Sequence, residues 1–109
     1  GVTLFEDSPV YPIIFWVSDF SKDYVLTKPI HDSQKKVNES KASSLREQYP
    51  SLNNGVFLQI DCRDNYELIR ELASFGKDLI VLSPSVIQDK VWNRISSMNE
   101  EYLKIRNSK

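Results

Sequence analysis

Five large apolar side chains stand in a row at Ile13-Ile14-Phe15-Trp16-Val17, inside the segment Val10 to Val17. β-Branched and aromatic residues of this kind favour a pleated strand, and Pro12 is tolerated only near its start. Successive side chains of a strand point to opposite faces of the sheet. Ile13, Phe15 and Val17 therefore share one face, and Ile14 and Trp16 share the other. Leu79-Ile80-Val81-Leu82 repeats the pattern, with Leu79 and Val81 set against Ile80 and Leu82. A sheet with one solvated face would alternate apolar and polar residues. These two strands do not, so both of their faces need cover, and Val10 to Val17 reads as a central strand.

The other elements follow from local signals. Ser18-Asp19 offers an N-cap for a short helix over Phe20 to Leu26, with Phe20, Tyr24 and Val25 facing inward. Pro29 stops it, because the residue before a proline is pushed out of the α region. Ser33 to Glu39 reads as a solvated edge strand, and Ser40 to Asn54 as a long hairpin connection closing on the turn signal Asn54-Gly55. Val56 to Cys62 alternates, with Val56, Leu58, Ile60 and Cys62 on one face and Phe57, Gln59 and Asp61 on the other. Asp64 to Glu67 has the spacing of a capping box, with Asp64 as N-cap. The helix after it carries Leu68, Leu72 and Phe75 on one stripe, with Ile69 and Ala73 beside them, and Gly76 stands where a left-handed residue ends a helix. Ser83-Pro84-Ser85 opens a last helix, capped by Ser83 or Ser85 and running to about Ile105. Its apolar residues Val91, Ile95, Met98, Tyr102 and Ile105 are spaced 4, 3, 4, 3, a heptad-like seam too short for a self-standing coiled coil.

The order β-α-β-β-α-β-α gives an α+β fold whose first six elements match the ferredoxin-like βαββαβ pattern, with an antiparallel sheet and an added C-terminal helix. The boundaries are 1–9 for a linker or the end of a preceding domain, and 10–109 for the ferredoxin-like domain. The chain has no initiator Met, its one Met being Met98, so it is expected to be part of a longer protein.

Composition narrows the function. Lys plus Arg total 14 and Asp plus Glu 15, for a net charge of −1. A dedicated nucleic-acid binder usually carries a basic surface instead. A single cysteine, Cys62, excludes an internal disulfide framework and suits a reducing, cytoplasmic setting. No apolar run approaches the ~20 residues needed to span a bilayer. His31 is the one histidine, without a Cys or His partner at ligand spacing, so neither a metal nor any other cofactor is expected. No residues are assigned a catalytic role. Cys62 ends an otherwise apolar strand face, Asp64 and Glu67 are accounted for by capping, and no glycine-rich phosphate loop exists.

Several segments carry a family resemblance. Thr27-Lys28-Pro29-Ile30-His31-Asp32-Ser33-Gln34-Lys35 resembles the T-K-P-L-H-x-S-Q-K segment in the C-terminal extension (WCX) of WYL-domain, winged-helix transcriptional regulators. Asn65-Tyr66-Glu67-Leu68 resembles its N-Y-E-L. Ala73-Ser74-Phe75-Gly76 resembles its L-S-F-G with Ala73 in place of Leu, and Val81-Leu82-Ser83-Pro84 resembles its V-L-S/E-P. The segments run in family order from about Val10 to Tyr102, although the connection Ser40 to Asn54 is longer than the family usually has. The resemblance implies a regulator in which a winged helix binds DNA and a WYL barrel senses a nucleotide or nucleic-acid effector. The extension would pack on the barrel of its own or a partner chain, in a homodimer. On that reading Lys28, His31, Ser33 and Gln34 form a polar rim facing an effector or the neighbouring barrel. Taken by itself, His31 reads first as a side chain that hydrogen-bonds locally near a strand start.

A reading from another class rests on the sheet. RNA-recognition domains share the βαββαβ order, and Ile14-Phe15-Trp16-Val17 and Val56-Phe57-Leu58 put aromatics near their stacking positions, though without the leading basic residue of the third-strand motif. An open sheet face would carry Phe57 with Ile14 and Trp16, or in the other register with Ile13 and Phe15. The patch expected on that face is Ile14, Trp16 and Phe57. It would be covered by the last helix, by a WYL barrel or second copy, or by single-stranded nucleic acid.

Overall fold

The computed structural model describes residues 9–108. Strand β1 (Val10–Ser18) leads into helix α1 (Asp19–Thr27), the two-residue strand β2 (Lys35–Lys36) and helix α2 (Glu39–Gln48). Strand β3 (Gly55–Arg63), helix α3 (Tyr66–Ser74), a 3-10 turn at Gly76–Asp78, strand β4 (Leu79–Ser83) and helix α4 (Ser85–Asn107) complete the chain. The strands form one antiparallel sheet in the order β2-β3-β1-β4. That is the ferredoxin-like order, and the α+β expectation holds. Apart from Pro9, the expected linker 1–9 lies outside the described residues.

The long apolar strand takes the central place that its two apolar faces require. Along β1, Phe15 pairs with Leu58 of β3 and Val81 of β4, and Trp16 with Phe57 and Ile80. The first face joins Ile13, Phe15, Val17, Leu58, Ile60, Cys62, Leu79 and Val81 to Val25 of α1, to Leu68, Ile69 and Leu72 of α3, and to Ile87 and Val91 of α4. Ile13, Phe15, Val17 and Ile60 are wholly buried there. Both alternations read from the sequence, in β3 and in β4, are those observed.

The second face corrects the sequence reading. The segment expected to be a long connection contains α2. Its Ala42 and Leu45 bury Trp16 and Phe57, with Val37, Tyr49, Leu52 and the half-buried Ile14, Ile80 and Leu82 around them. Trp16 is 8% exposed and Phe57 6%. The patch Ile14, Trp16 and Phe57 is therefore an inner layer and not an open surface. Nor does α4 fold back over this face, since its buried residues Ile87 and Val91 belong to the first one. The helix escapes notice because it is polar almost all round. What marks it is Asn38, whose side chain accepts the Lys41 N–H at 2.8 Å as a proper N-cap, and the 3, 4 spacing of Ala42, Leu45 and Tyr49. The edge strand shrinks accordingly to Lys35 and Lys36, whose charges suit an unpaired sheet edge.

Four smaller expectations also change. In α1 only Val25 is buried, whereas Phe20 is 88% exposed and Tyr24 is also exposed. At 3.6 residues per turn those two lie about 100–140° around the axis from Val25, and the helix is too short to turn both stripes inward. Ser18 precedes α1 but makes no capping bond, and its hydroxyl donates to Asp78 Oδ1 at 2.7 Å, which pulls the Asp78 carboxyl below its ordinary range. The N-cap of α3 is Asn65, accepting from the Leu68 N–H at 2.8 Å, while Asp64 pairs with Lys90 and Glu67 with Arg70. At α4, Pro84 stands in the cap position without a side-chain bond, so neither Ser83 nor Ser85 caps it.

Gly76 does end α3 in the left-handed region, with φ of 59°. Phe75 before it is half-buried and meets the Tyr24 ring at 6.0 Å between centroids. A Cβ on Gly76 would meet nothing within 4 Å, so the cost of adding one is backbone strain alone. Gly76→Ala should lower stability by about 1–2 kcal/mol, and Gly76→Asn by less, because Asn tolerates this conformation. Urea midpoints of the two variants check it.

Candidate functional site

The four residues expected to form a polar rim lie between α1 and β2, where Pro29 has ended the helix and the chain must reach the sheet edge. Gln34 holds the loop at both ends: its Oε1 accepts the Ile30 N–H at 2.9 Å, and its Nε2 donates to the Val25 carbonyl of α1 at 3.1 Å. Ser33 ties the loop to β3. Its Oγ accepts the Asp61 N–H at 2.7 Å and lies 3.1 Å from the Asp61 carbonyl, continuing the β2–β3 pairing with a side chain. His31 Nδ1 sits 2.7 Å from the same Oγ and accepts the Ser33 N–H at 3.1 Å. Lys28 stands apart. It caps α1 through its N–H to the Tyr24 carbonyl, and its ammonium rests 5.7 Å from the Tyr24 ring centre.

This geometry settles what the cluster can do chemically. Ser33 has one hydroxyl proton, to be given either to Asp61 O or to His31 Nδ1, and its oxygen is already occupied by the Asp61 N–H. It is thus a fastened hydroxyl and not a nucleophile poised by a base. Beside it a cleft of about 440 Å3 is lined by His31, Asp61, Cys62, Arg63, Glu67 and Glu71 among others. Cys62 is the natural suspect for chemistry there. Burial first, then the nearby charges of Asp61 and Asp64, push its thiol above the ordinary range and hold it protonated. A protonated thiol is neither a good nucleophile nor a metal ligand. Among the described residues no group of three or more His, Cys, Asp or Glu is placed to hold a metal ion.

The loop is therefore an architectural clip, and its most informative residue is Ser33. Ser33→Ala removes the bonds to both backbone groups of Asp61 and should cost about 1–3 kcal/mol, while His31→Ala, at an exposed position, should stay within about 0.5 kcal/mol. Thermal melts of both variants separate a clip from an exposed binding rim.

Besides the exposed Phe20 and Tyr24 of α1 and Tyr66 of α3, exposed large apolar side chains line α4. Trp92, Ile95, Met98, Tyr102, Leu103 and Ile105 are all exposed on it. The heptad-like seam announced four of these, whereas Trp92 and Leu103 carried no signal in the sequence. Near the base of α4, Tyr66 is flanked by the guanidinium groups of Arg70 and Arg94, 5.8 and 5.3 Å from its ring centre. Of the described residues, no helix is long and apolar enough to cross a membrane.

Comparison with curated proteins gives no match. The family model of the WCX domain matches residues 12–98, from near the start of β1 to the middle of α4. The match takes in the Ser33–Gln34 clip, the Asn65 cap and the Gly76 helix end, and on it the chain belongs to the WCX domain family, the C-terminal extension that accompanies WYL domains.

Proposed function

We propose that this domain is the C-terminal regulatory and assembly module of a cytoplasmic WYL-type transcriptional regulator. It packs on the ligand-sensing WYL barrel of its own or a partner chain, supports homodimerisation, and helps carry the effect of a bound nucleotide or nucleic acid to a winged-helix DNA-binding part. It takes no catalytic role. The family match over 12–98 carries the reading. Two features are in keeping with it. Burial raises the Cys62 thiol above its ordinary range, and the Ser33 hydroxyl is fastened to the Asp61 backbone. Helix α4 carries a run of exposed large apolar side chains, from Trp92 to Ile105, as a domain built to be packed against would have. An RNA-type stacking surface would need Trp16 and Phe57 in solvent, and α2 covers both.

The test is a titration of the isotope-labelled domain with the WYL domain encoded in the same reading frame, followed by amide chemical shifts. Saturable shifts confined to one face, strengthened when the effector of the barrel is added, support the reading. A reading frame without a WYL domain, or no shift at near-millimolar concentration, would refute it.

A further inference from the structure

Helices α3 and α4 meet through Ile69, Leu72, Ile87 and Val91 in the first core layer. Beside that contact lies a cleft of about 560 Å3, lined by Arg70, Ala73 and Gly76 from the α3 side and by Arg94, Ile95 and Met98 of α4, among others. Its volume is that of a small-molecule site, and its lining has the usual makeup of one, apolar side chains with a few polar groups. Ile95 and Met98 leave 38% and 56% of their surface in solvent there. At Gly76 a Cβ would meet nothing within 4 Å, so the cleft stands open at that end. The Ser74 hydroxyl donates to the Glu71 carbonyl at 2.6 Å, which leaves the two guanidinium groups as the side-chain donors of the wall.

The two arginines differ in a way that matters. Arg70 is paired with Glu67 and lies 5.8 Å from the Tyr66 ring centre. Arg94 lies 5.3 Å from the same ring centre and is half-buried. Among the described residues it has no ion pair and no side-chain hydrogen bond. A cation drawn partly out of water needs an opposite charge, and the face of an aromatic ring offsets only part of that cost. Tyr66 thus holds in place a fork whose N–H donors are unspent.

We propose that this cleft binds a small monocarboxylate with an apolar body. Arg94 takes the carboxylate through two parallel N–H bonds, and the body lies over Ala73, Ile95 and Met98. Tyr66 is a positioning residue that holds the Arg94 fork. The charge selects this class of ligand. Glu67 already balances Arg70, so the wall offers one net positive charge, the match for a single carboxylate and not for a doubly charged phosphate. The planar fork fits two carboxylate oxygens, and the apolar floor rewards a body that water does not hold. The site lies wholly within this chain and needs neither a barrel nor its effector, so it goes beyond the proposed function and can fail apart from it.

Met98 is the one methionine of the chain, so an isotope label at the methionine methyl places a single probe in the cleft. Titration of the labelled chain with hydrocinnamate should move that signal saturably, with a Kd of about 1 mM, and should move the Arg94 side-chain N–H with it. Arg94→Gln should weaken binding by about tenfold or more. Tyr66→Leu should weaken it by about threefold, while Tyr66→Phe, which keeps the ring, should bind as the parent chain does. Should Arg94→Gln lose its fold, Arg94→Lys serves in its place, because it keeps the charge and loses the fork. A methionine signal that stays put at tens of millimolar ligand overturns the proposal, as does binding indifferent to Arg94→Gln. Equal binding of the amide of the same acid overturns it too and leaves only an apolar groove. Equal binding of acetate or inorganic phosphate also overturns it and leaves only a surface contact for anions.

Discussion

Phe15→Ala should lower the unfolding free energy by about 3–5 kcal/mol, the usual cost of emptying a fully enclosed aromatic site. Phe15 is wholly buried at the centre of β1, between Leu58 on one side and Val81 on the other. Its face is roofed by three helices at once, through Val25, Leu72 and Ile87, each of them wholly buried. None of these can relax into the space without leaving another, so most of the cavity persists. Domains of this size are stable by only about 5–15 kcal/mol, so the variant should sit close to its unfolding threshold at ordinary temperature. Ile14→Ala is the internal control. Ile14 lies one residue away on the opposite face and is only half-buried, so its loss should be clearly smaller. Urea titrations of both give the comparison, and equal midpoint shifts would mean that the two faces of the sheet are not the unequal layers described above.

The contrast between the two faces also shows what the sequence makes legible. A period of two is unmistakable when the side chains are large, and Val56-Phe57-Leu58-Gln59-Ile60 marks β3 and its two faces, while the pairing register stays open without the rest of the sheet. The left-handed Gly76 and the central position of β1 were readable for the same reason, since each rests on a local steric rule. Helix α2 was not. It meets the sheet through only Ala42 and Leu45, so tertiary contact with Trp16 and Phe57 stabilises a segment whose own composition reads as a loop. Missing it turned a covered layer into an apparent docking patch. The cap of α3 failed on a finer point: Asp64 and Asn65 are both good capping residues, and only the backbone decides that the bond goes from Asn65 to Leu68. At the polar loop the residues were legible but the bonds that hold them were not. Ser33 and Gln34 spend their hydrogen bonds on Asp61, Ile30 and Val25, partners up to 28 positions away that no local pattern reveals.

The layer beneath α2 supplies the second large effect, at Gly55. This residue opens β3 and faces the end of β1, where Ser18 is its partner in register. A Cβ built on it would lie 2.3 Å from the Val17 carbonyl oxygen, 2.4 Å from Trp16 Nε1 and 2.6 Å from Trp16 Cε2. Real Cβ atoms do not come so close. A glycine in a strand often marks such an approach, and here the indole of Trp16 lies across the backbone at a diagonal position on the same face. Gly55→Ala should therefore cost about 3 kcal/mol, at the upper end for an added methyl, because one of the obstructing atoms is backbone and cannot swing away. The rest of the obstruction is the pyrrole edge of Trp16, and its nitrogen is buried without a hydrogen-bond partner among the described residues. Trp16→Phe deletes that edge together with the unpaired N–H. Its own cost should stay within about 1.5 kcal/mol, since the lost contact is offset by relief of the stranded donor. In the double variant the new methyl meets only the Val17 oxygen, so the two changes should cost less together than their sum by about 1 kcal/mol or more. Strict additivity would place the whole clash on the backbone. An unchanged midpoint for Gly55→Ala would show that β1 and β3 separate at this end, and that Trp16 does not lie where the second layer requires it.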